Sequence, residues 1–383
     1  MGSGIRGMLS LAIAIPCLNQ SHFLPSALES LRFQSVPFEI ALMDGGSTDG
    51  FESVAKQYSD VITYCRSGPD GGQAAAIREG FEKVDGDIVA WLNSDDYYFP
   101  GALDKVASCF ENNPELDVVY GDAIHVTRQG FFTSYFPAIQ EFNARDLTRS
   151  CFICQPACFV RRSAYEAVGG LDTALHYTMD WDLWCRLALN GAKFYYLHDL
   201  LAAVRYYTGT KTLSGDRLRY KEIWRIEKKY GNRFLPLSWP GFYYQDLVFK
   251  TRKTAVERML YWTLAGFRHF KKSVLRMKKQ QKWGNRTLYG FCNGGPLVRG
   301  CGTIYMPWFD KRKWKEIHLR VAPPKTAYKV SVNGCYEKKL TCCDGHLSVG
   351  APLLETVMRK ISVECLEKRD WRLLNFYVEF VKE

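Results

Sequence analysis

No stretch of this 383-residue chain approaches the roughly 18 consecutive apolar residues that suggest a membrane span. The apolar stretch near the N-terminus, SLAIAIPCL, is short and runs straight into strand-and-loop residues, which argues against a signal peptide. Low-complexity tracts and internal repeats are missing as well. The 13 cysteines are odd in number and scattered through apolar segments such as CFICQPACFV. That distribution does not make a disulfide framework, and the lone CxxC of Cys151 and Cys154 has no second pair at zinc-site spacing. Cysteine is read as a small core residue in a reducing, cytoplasmic setting. A net excess of positive charge is lacking outside one segment. Residues 208–290 hold 20 Lys or Arg against 5 Asp or Glu, so the net charge of +11 conceals an acidic remainder. A protein that coats nucleic acid would spread its charge; this pattern implies no nucleic acid and a local anionic partner.

What is present is ordinary globular composition, 47% hydrophobic and 24% charged, at a length that allows two or three domains. Over the first half, short apolar runs (SLAIAIPCL, FEIALMD, VITYCRS, DIVAWLN, DVVYGD, PACFVRR) alternate with helical patterns such as SHFLPSALESLRF and GGQAAAIREGFEKV. That alternation predicts βαβ units, an α/β class and a mainly parallel sheet flanked by helices, with ligands outside the carboxyl ends of the strands. Residues 8–214 are expected to form this domain. A basic helical segment follows over 215–284, where Leu260, Leu264, Phe267, Phe270 and Val274 recur at helical spacing. From 285 to 383 short alternating segments separated by Asn333-Gly334 and Asp344-Gly345 predict a small β-sandwich. Trp308 and Trp314, if exposed, lean that domain toward glycan binding, with dimerisation as the other reading.

The polar clusters fall at strand ends. PCLNQ follows the first strand and MDGGSTDG the second; there Asp44 can accept from a base N–H or a ribose hydroxyl, or Ser47, Thr48 and Asp49 can simply cap a helix. SGPDGGQ leads into a helix whose N-terminus suits an anion. In WLNSDD two adjacent carboxylates, Asp95 and Asp96, close an apolar strand. Such a pair repels itself unless it meets a cation, and hard oxygen ligands suit Mg2+ or Mn2+ bridging to a diphosphate. The competing reading is a cap for FPGALDKVASCF, for which one Asp would suffice. Finally MDWDLWCRLAL places Asp180 and Asp182 at a helix start beside Trp181 and Trp184. A carboxylate there can be a general base toward an alcohol, or again a cap.

Taken in order, IPCLNQ, MDGGSTDG, SGPDGGQAAAIREGF, GDIVAWLNSDDYYFPGAL, VVYGD, QPACFVRRSAYEAVGGLD and MDWDLWCRLALNGAKFYYL resemble family 2 glycosyltransferases of the GT-A fold, over roughly residues 9–210. The likeness is strongest to the bacterial-type branch that writes NSDD. The resemblance implies an inverting transfer from a nucleotide sugar, a UDP-sugar favoured, to a hydroxyl of a glycan or lipid-linked glycan. It implies that Pro16, Asn19, Asp44 and Ser47 line the nucleotide pocket, with Asp70 and Gln73 near base or ribose. Asp95 takes the metal-bearing place, Asp96 a role shared between the sugar and the following helix, and Asp180 that of the base; Trp181, Asp182 and Trp184 are assigned to the acceptor side. Three departures stand out: Asn93 replaces a motif Asp, Arg78 stands where this branch often has Asn and is expected at the donor, and Tyr207 stands where many relatives place a histidine. Lipid-linked acceptors suggest peripheral contact of 242–283 with the cytoplasmic membrane face. Homo-oligomerisation stays open. The rival readings are a catalytically weak glycan-binding or scaffold protein on the same fold, which would have no need of three separated carboxylates, and a nucleotidyltransferase. The latter usually carries a Gly-rich loop with Lys or Arg, which PCLNQSH lacks.

Overall fold

A computed structural model describes residues 9–243, apart from short breaks at 33, 129, 131, 137–138, 208, 215–216, 233 and 235–237, and after that only strands between 287 and 380. The chain divides into two compact units, Met1–Ala123 with Tyr135–Phe270, and Ile124–Ser134 with Lys271–Glu383. Leu260, Leu264, Phe267, Phe270 and Val274 lie outside the described residues, as do Trp308 and nearly all of 242–283.

The nine-stranded sheet is built on β1 (Leu11–Cys17), β2 (Phe38–Asp44), β3 (Tyr64–Ser67), β4 (Ile88–Trp91), β5 (Tyr97–Tyr98), β6 (Val118–Val126), β7 (Phe132–Tyr135), β8 (Cys158–Arg161) and β9 (Phe194–Arg205). The helices are α1 (Leu24–Leu31), α2 (Phe51–Gln57), α3 (Gln73–Lys83), α4 (Ala102–Asn112), α5 (Ala144–Leu147), α6 (Arg162–Ala167), α7 (Met179–Leu189), α8 (Lys211–Ser214) and α9 (Arg217–Gly231). The sheet runs β3-β2-β1-β4-β8-β6-β9-β5, with β7 beside β6. Its first four strands are parallel, joined by α1, α2 and α3 as the alternating pattern predicts. Beyond β4 the pairings β4–β8, β8–β6 and β5–β9 are antiparallel. This is the expected α/β, GT-A-type architecture.

Period-2 alternation explains how one strand serves two cores. Every residue of β1 is buried. Leu11, Ile13 and Ile15 face α1 and α4, meeting Leu28, Leu103 and Phe110. Ala12 and Ala14 face the other layer with Ile77 and Phe81 of α3 and Trp184 of α7. The alanines are small because α3 lies close: a Cβ on Gly80 would stand 3.1 Å from Ala14 Cβ and 3.2 Å from Ala41 Cβ. Gly86, just before β4, is tighter still, for a Cβ there would collide with the backbone of Leu11 and Ala12. Gly86→Ala is therefore expected to lower stability by about 1–3 kcal/mol, or more if the strand cannot shift; urea unfolding measures it.

The parallel block brings the carboxyl ends of β1 to β4 to one edge, and the loops Leu18–Gln20, Gly45–Gly50, Gly68–Gly72 and Leu92–Asp96 with them. The second unit contains, among the described residues, a five-stranded and a four-stranded sheet, most of whose pairings are antiparallel. The alternating segments read as strands in the sequence are strands.

Candidate functional site

Asp44, at the tip of β2, is fully buried. Its carboxylate accepts from the N–H groups of Gly46 (3.1 Å) and Ser47 (2.9 Å) and from the hydroxyls of Ser47 (2.5 Å) and Ser67 (2.6 Å). Four donors leave it no face for a base or ribose, so its expected ligand contact is corrected to the anchoring of this loop. The loop it shapes is what borders the cleft. Ser47 Oγ accepts from the Asn19 N–H at 2.7 Å, and Asn19 Oδ1 accepts from Thr48 N–H at 3.0 Å. Asn19 sits in the left-handed region at φ 51°, which short polar side chains tolerate. Pro16 is buried within β1 against Met43. The half-exposed Leu18 lies beside Gly45 and Asp70: a Cβ on Gly45 would meet Asp70 Oδ2 at 3.2 Å and Leu18 Cδ1 at 3.4 Å. Asp70 closes its own turn through Gly72 N–H at 2.8 Å. Asn19 and Ser47 are thus in direct contact, and Leu18 and Asp70 lie together beside Gly45.

The WLNSDD turn is organised differently. α4 starts at Ala102 with Gly101 as its N-cap, so neither Asp95 nor Asp96 caps it. Asp96 is buried, its Oδ1 accepting from Arg205 N–H at 3.0 Å and its Oδ2 from Asn93 Nδ2 at 3.0 Å. It is an internal anchor, and the expected sugar contact is corrected accordingly. The Arg205 guanidinium donates to the Asp95 carbonyl and to Ser26 Oγ, and lies 4.8 Å from the Phe23 ring centroid. Asp95 is buried to 8% exposure, yet among the described residues the side chains that reach its carboxylate do so at long range, 3.5 Å for Gln20 Nε2 and 3.4 Å for Tyr207 Oη. Burial pushes both carboxyl groups above the ordinary range, and the Asp95 charge pushes Asp96 further. Arg205 acts in the opposite direction on both. Position 207 therefore faces Asp95, as a phenol.

Asn93 is a hub. Its Oδ1 accepts from Gln73 Nε2 at 2.7 Å, and its Nδ2 donates to Asp96 and, at 3.1 Å, to Gln155 Oε1. Gln73 Oε1 in turn accepts from Lys211 Nζ at 2.7 Å. Arg78 does not join this set; its Nη1 donates to the carbonyls of Gly169 and Leu171 at 3.1 and 2.9 Å, which pins the loop after α6 rather than a donor.

Asp180 opens α7 half-buried, its Oδ1 accepting from Trp181 N–H at 2.8 Å. Burial raises its carboxyl to about 6, with Trp181 N–H and then Lys211 pulling down and Glu222 pushing up. A carboxyl near 6 remains mostly ionised at neutral pH while being basic enough to take a proton. Glu222 of α9 holds the lead-in to α7, accepting from the N–H groups of His176, Tyr177 and Thr178 at 2.7–3.1 Å. The three acceptor-side expectations fail. Trp181 and Trp184 are core side chains: Trp181 Nε1 donates to the Leu147 carbonyl at 2.6 Å, and Trp184 stacks on Trp91 with centroids 5.7 Å apart. Asp182 is buried and faces away, accepting from Arg186 (2.6 Å), Lys229 (3.2 Å) and Tyr230 (2.5 Å). Asp182→Ala should cost about 3 kcal/mol of stability by stranding Arg186 and Tyr230. Donor and acceptor KM of the folded fraction should not move; denaturation and steady-state kinetics separate the two.

Cys151, Cys154 and Cys158 are unbridged, and burial pushes all three thiols well above the ordinary range. The charges of both Asp96 and Asp180 push the Cys154 thiol further in the same direction. Among the described residues no cluster of three His, Cys, Asp or Glu side chains could hold a metal, and no helix is long and apolar enough to cross a membrane. Sequence reasoning missed Arg205, Lys211, Gln20 and Gln155. Only the last two sat inside recognisable motifs; the lone cations near the end of β9 carry no local signal.

Residues 12–169 match the family model described as glycosyl transferase family 2. A PGL/p-HBAD biosynthesis glycosyltransferase of Mycobacterium bovis is 27% identical over 252 residues, 63% of this chain and 94% of the relative. An uncharacterized glycosyltransferase of Rickettsia typhi is 25% identical over 224 residues, 56% of this chain and 70% of the relative. Among solved structures, S. aureus TarS 1–349 in complex with UDP aligns with a TM-score of 0.46 and 16% identity over 71% of this chain and 76% of its own. The mannosyltransferase PcManGT from Pyrobaculum calidifontis, in complex with GDP-Man and Mn2+, aligns at 0.44 and 14% over 72% and 77%.

Proposed function

We propose, because residues 12–169 match the family model of glycosyl transferase family 2, that this site carries out a single inverting displacement on a nucleotide-diphosphate sugar. A hydroxyl of a glycan or lipid-linked acceptor attacks the anomeric carbon. Its oxygen bonds to that carbon as the bond to the diphosphate oxygen breaks, its proton passes to Asp180, and the nucleoside diphosphate leaves. The observation that carries this reading is Asp180 itself: a half-buried carboxylate with a raised affinity for protons at the start of α7, within reach of the charge of Lys211, whose Nζ donates to Gln73.

Asn19, Ser47, Leu18 and Asp70 border the nucleotide, and Gln73 and Asn93 stand toward the diphosphate and sugar. A divalent cation, Mn2+ or Mg2+, fits at Asp95. The fit rests on a buried carboxylate that burial penalises and that its neighbours meet only at 3.4–3.5 Å. One carboxylate, completed by phosphate oxygens and water, is ordinary for these ions. When bound, the cation supplies charge against that developing on the leaving diphosphate. Arg205 holds the Asp95 backbone in place, and Tyr207 stands over the carboxylate. A UDP-sugar carrying a hexose or N-acetylhexosamine is the favoured donor. The cytoplasmic face of a membrane is the favoured place of work, reached through the basic segment.

Thermal shifts with a panel of nucleotide sugars, with and without Mn2+, test the reading. One nucleotide class should raise Tm, and Mn2+ should enlarge the rise; a flat response to every donor would remove it. Flotation on anionic liposomes tests the membrane contact separately.

A further inference from the structure

Lysine can only donate a hydrogen bond, and this settles the orientation of a chain of amides that side-chain density alone seldom distinguishes. Lys211 Nζ is 2.7 Å from the Gln73 side chain, so Gln73 must present its oxygen to the ammonium. Its Nε2 then points at Asn93 at 2.7 Å, so Asn93 must present Oδ1. That turns Asn93 Nδ2 toward Asp96 Oδ2 and Gln155 Oε1, at 3.0 and 3.1 Å. Gln155 is then left with Nε2 for the Trp91 carbonyl, at 2.6 Å. The far ends agree with the near one, since a carbonyl and a carboxylate can only accept. With Asp96 as a carboxylate, every link of this relay from Lys211 to Asp96 and the Trp91 carbonyl has one allowed polarity, and the ammonium at one end imposes it.

We propose that Lys211 is a positioning residue of the donor site, which through Gln73 holds the Asn93 amide so that Asn93 donates to Asp96 and fixes the turn carrying Asp95. The donor-site part rests on the transferase reading above; the relay itself does not. It also accounts for Asn at position 93. An aspartate there would have no proton for Asp96 and would place a third carboxylate against two that burial already disfavours. Asn93 and Lys211 therefore form a matched set joined by Gln73, although 118 residues separate them in the chain. The charges on and around the ammonium are consistent with this role. Asp180 and Glu222 face it, the Tyr177 ring lies 5.8 Å away, and burial lowers its pKa to about 8, which leaves it mostly cationic at neutral pH.

The test reads the amides directly. In 1H–15N spectra of the full chain, the side-chain amide pair of Asn93 is identified by its loss in Asn93→Asp. Lys211→Met should shift that pair and speed its hydrogen exchange by about tenfold, while Lys211→Arg, also a pure donor, should restore it. An Asn93 pair unmoved in Lys211→Met overturns the proposal. Should that variant not fold, Gln73→Glu serves instead: a carboxylate at 73 forces Asn93 to turn its Nδ2 away from Asp96, and an unmoved pair is again fatal. Calorimetric titration with UDP and GDP in Mn2+ supplies the functional arm. Lys211→Met should weaken whichever nucleotide binds by about tenfold, as removal of an outer-shell partner does, with recovery in Lys211→Arg. Unchanged affinity alongside moved amides would overturn the donor-site role. Wild-type protein that binds neither nucleotide would sink the UDP or GDP donor reading, with the amide arm still deciding the relay.

Discussion

Asp180→Asn is expected to cripple the proposed sugar transfer and to leave nucleotide binding intact. The substitution keeps the shape of the side chain and its contact with Trp181 N–H through the amide oxygen, but removes the basic carboxylate oxygens of Asp180, the neighbouring Asp182 being held by Arg186, Lys229 and Tyr230. General-base assistance is worth about 10²–10⁴-fold, so kcat should fall by at least about a hundredfold while the Kd for nucleotide stays within about twofold. The pH profile gives an independent reading. The base acts ionised, and burial holds its pKa at about 6. kcat/KM of the wild type should therefore rise with pH through about 6 and level off above it, because protons bound below that value occupy the oxygen that must accept one. Removal of the Lys211 charge, which favours the ionised form, should move this limb to higher pH. Single-turnover transfer measured across pH, with direct nucleotide titration alongside, checks all three statements. Near-normal turnover in Asp180→Asn would reassign the base.

Asp95→Asn should be nearly as damaging by a different route. Its carboxylate is the one acidic group of the turn that neighbours leave with only long hydrogen bonds. Neutralising it should erase the part of nucleotide affinity that depends on Mn2+ and lower kcat/KM on the order of a thousandfold, the equivalent of several kcal/mol of charge stabilisation. Folding should survive, since burial penalises the charge being removed. Asp96→Ala should behave in the opposite way. It strands the Arg205 N–H and the Asn93 amide in a dry site and should cost about 1–3 kcal/mol of stability for each donor left unpaired. Melting temperatures and Mn2+-dependent nucleotide titrations of the two variants, side by side, separate a ligand from an anchor. Equal and purely structural losses would remove the cation from Asp95.

The difference between those neighbours marks the limit of what a linear motif conveys. WLNSDD reads as a unit, and its position after an apolar strand is legible because β4 is short, buried and followed at once by polar residues. The parallel block of the sheet was legible for the same reason, with LAIAIPC, FEIALMD and IVAW all falling where the apolar runs place them. Carboxylates at strand and helix ends, however, look alike in a sequence whether they meet a ligand or a backbone. Asp44, Asp96 and Asp182 turned inward, while Asp95 and Asp180 kept an open or weakly met face. Trp181 and Trp184 show the same ambiguity, since helical spacing beside a base describes an acceptor platform and a packed core equally well.

By itself, then, the sequence determined the order of the main strands and helices and the edge at which the polar loops gather, and it singled out the two carboxylates to which the proposal gives chemical work. These follow from patterns a few residues long: period-2 burial in strands, glycines where the chain must turn, acids after apolar runs. The tertiary structure decided which acids are anchors, that Arg78 pins a loop, and that Arg205 and Lys211 complete the site. Arg205 meets Asp96 across 109 residues and Lys211 meets Gln73 across 138. Hydrogen bonds of that span depend on burial and direction, which only the folded chain supplies.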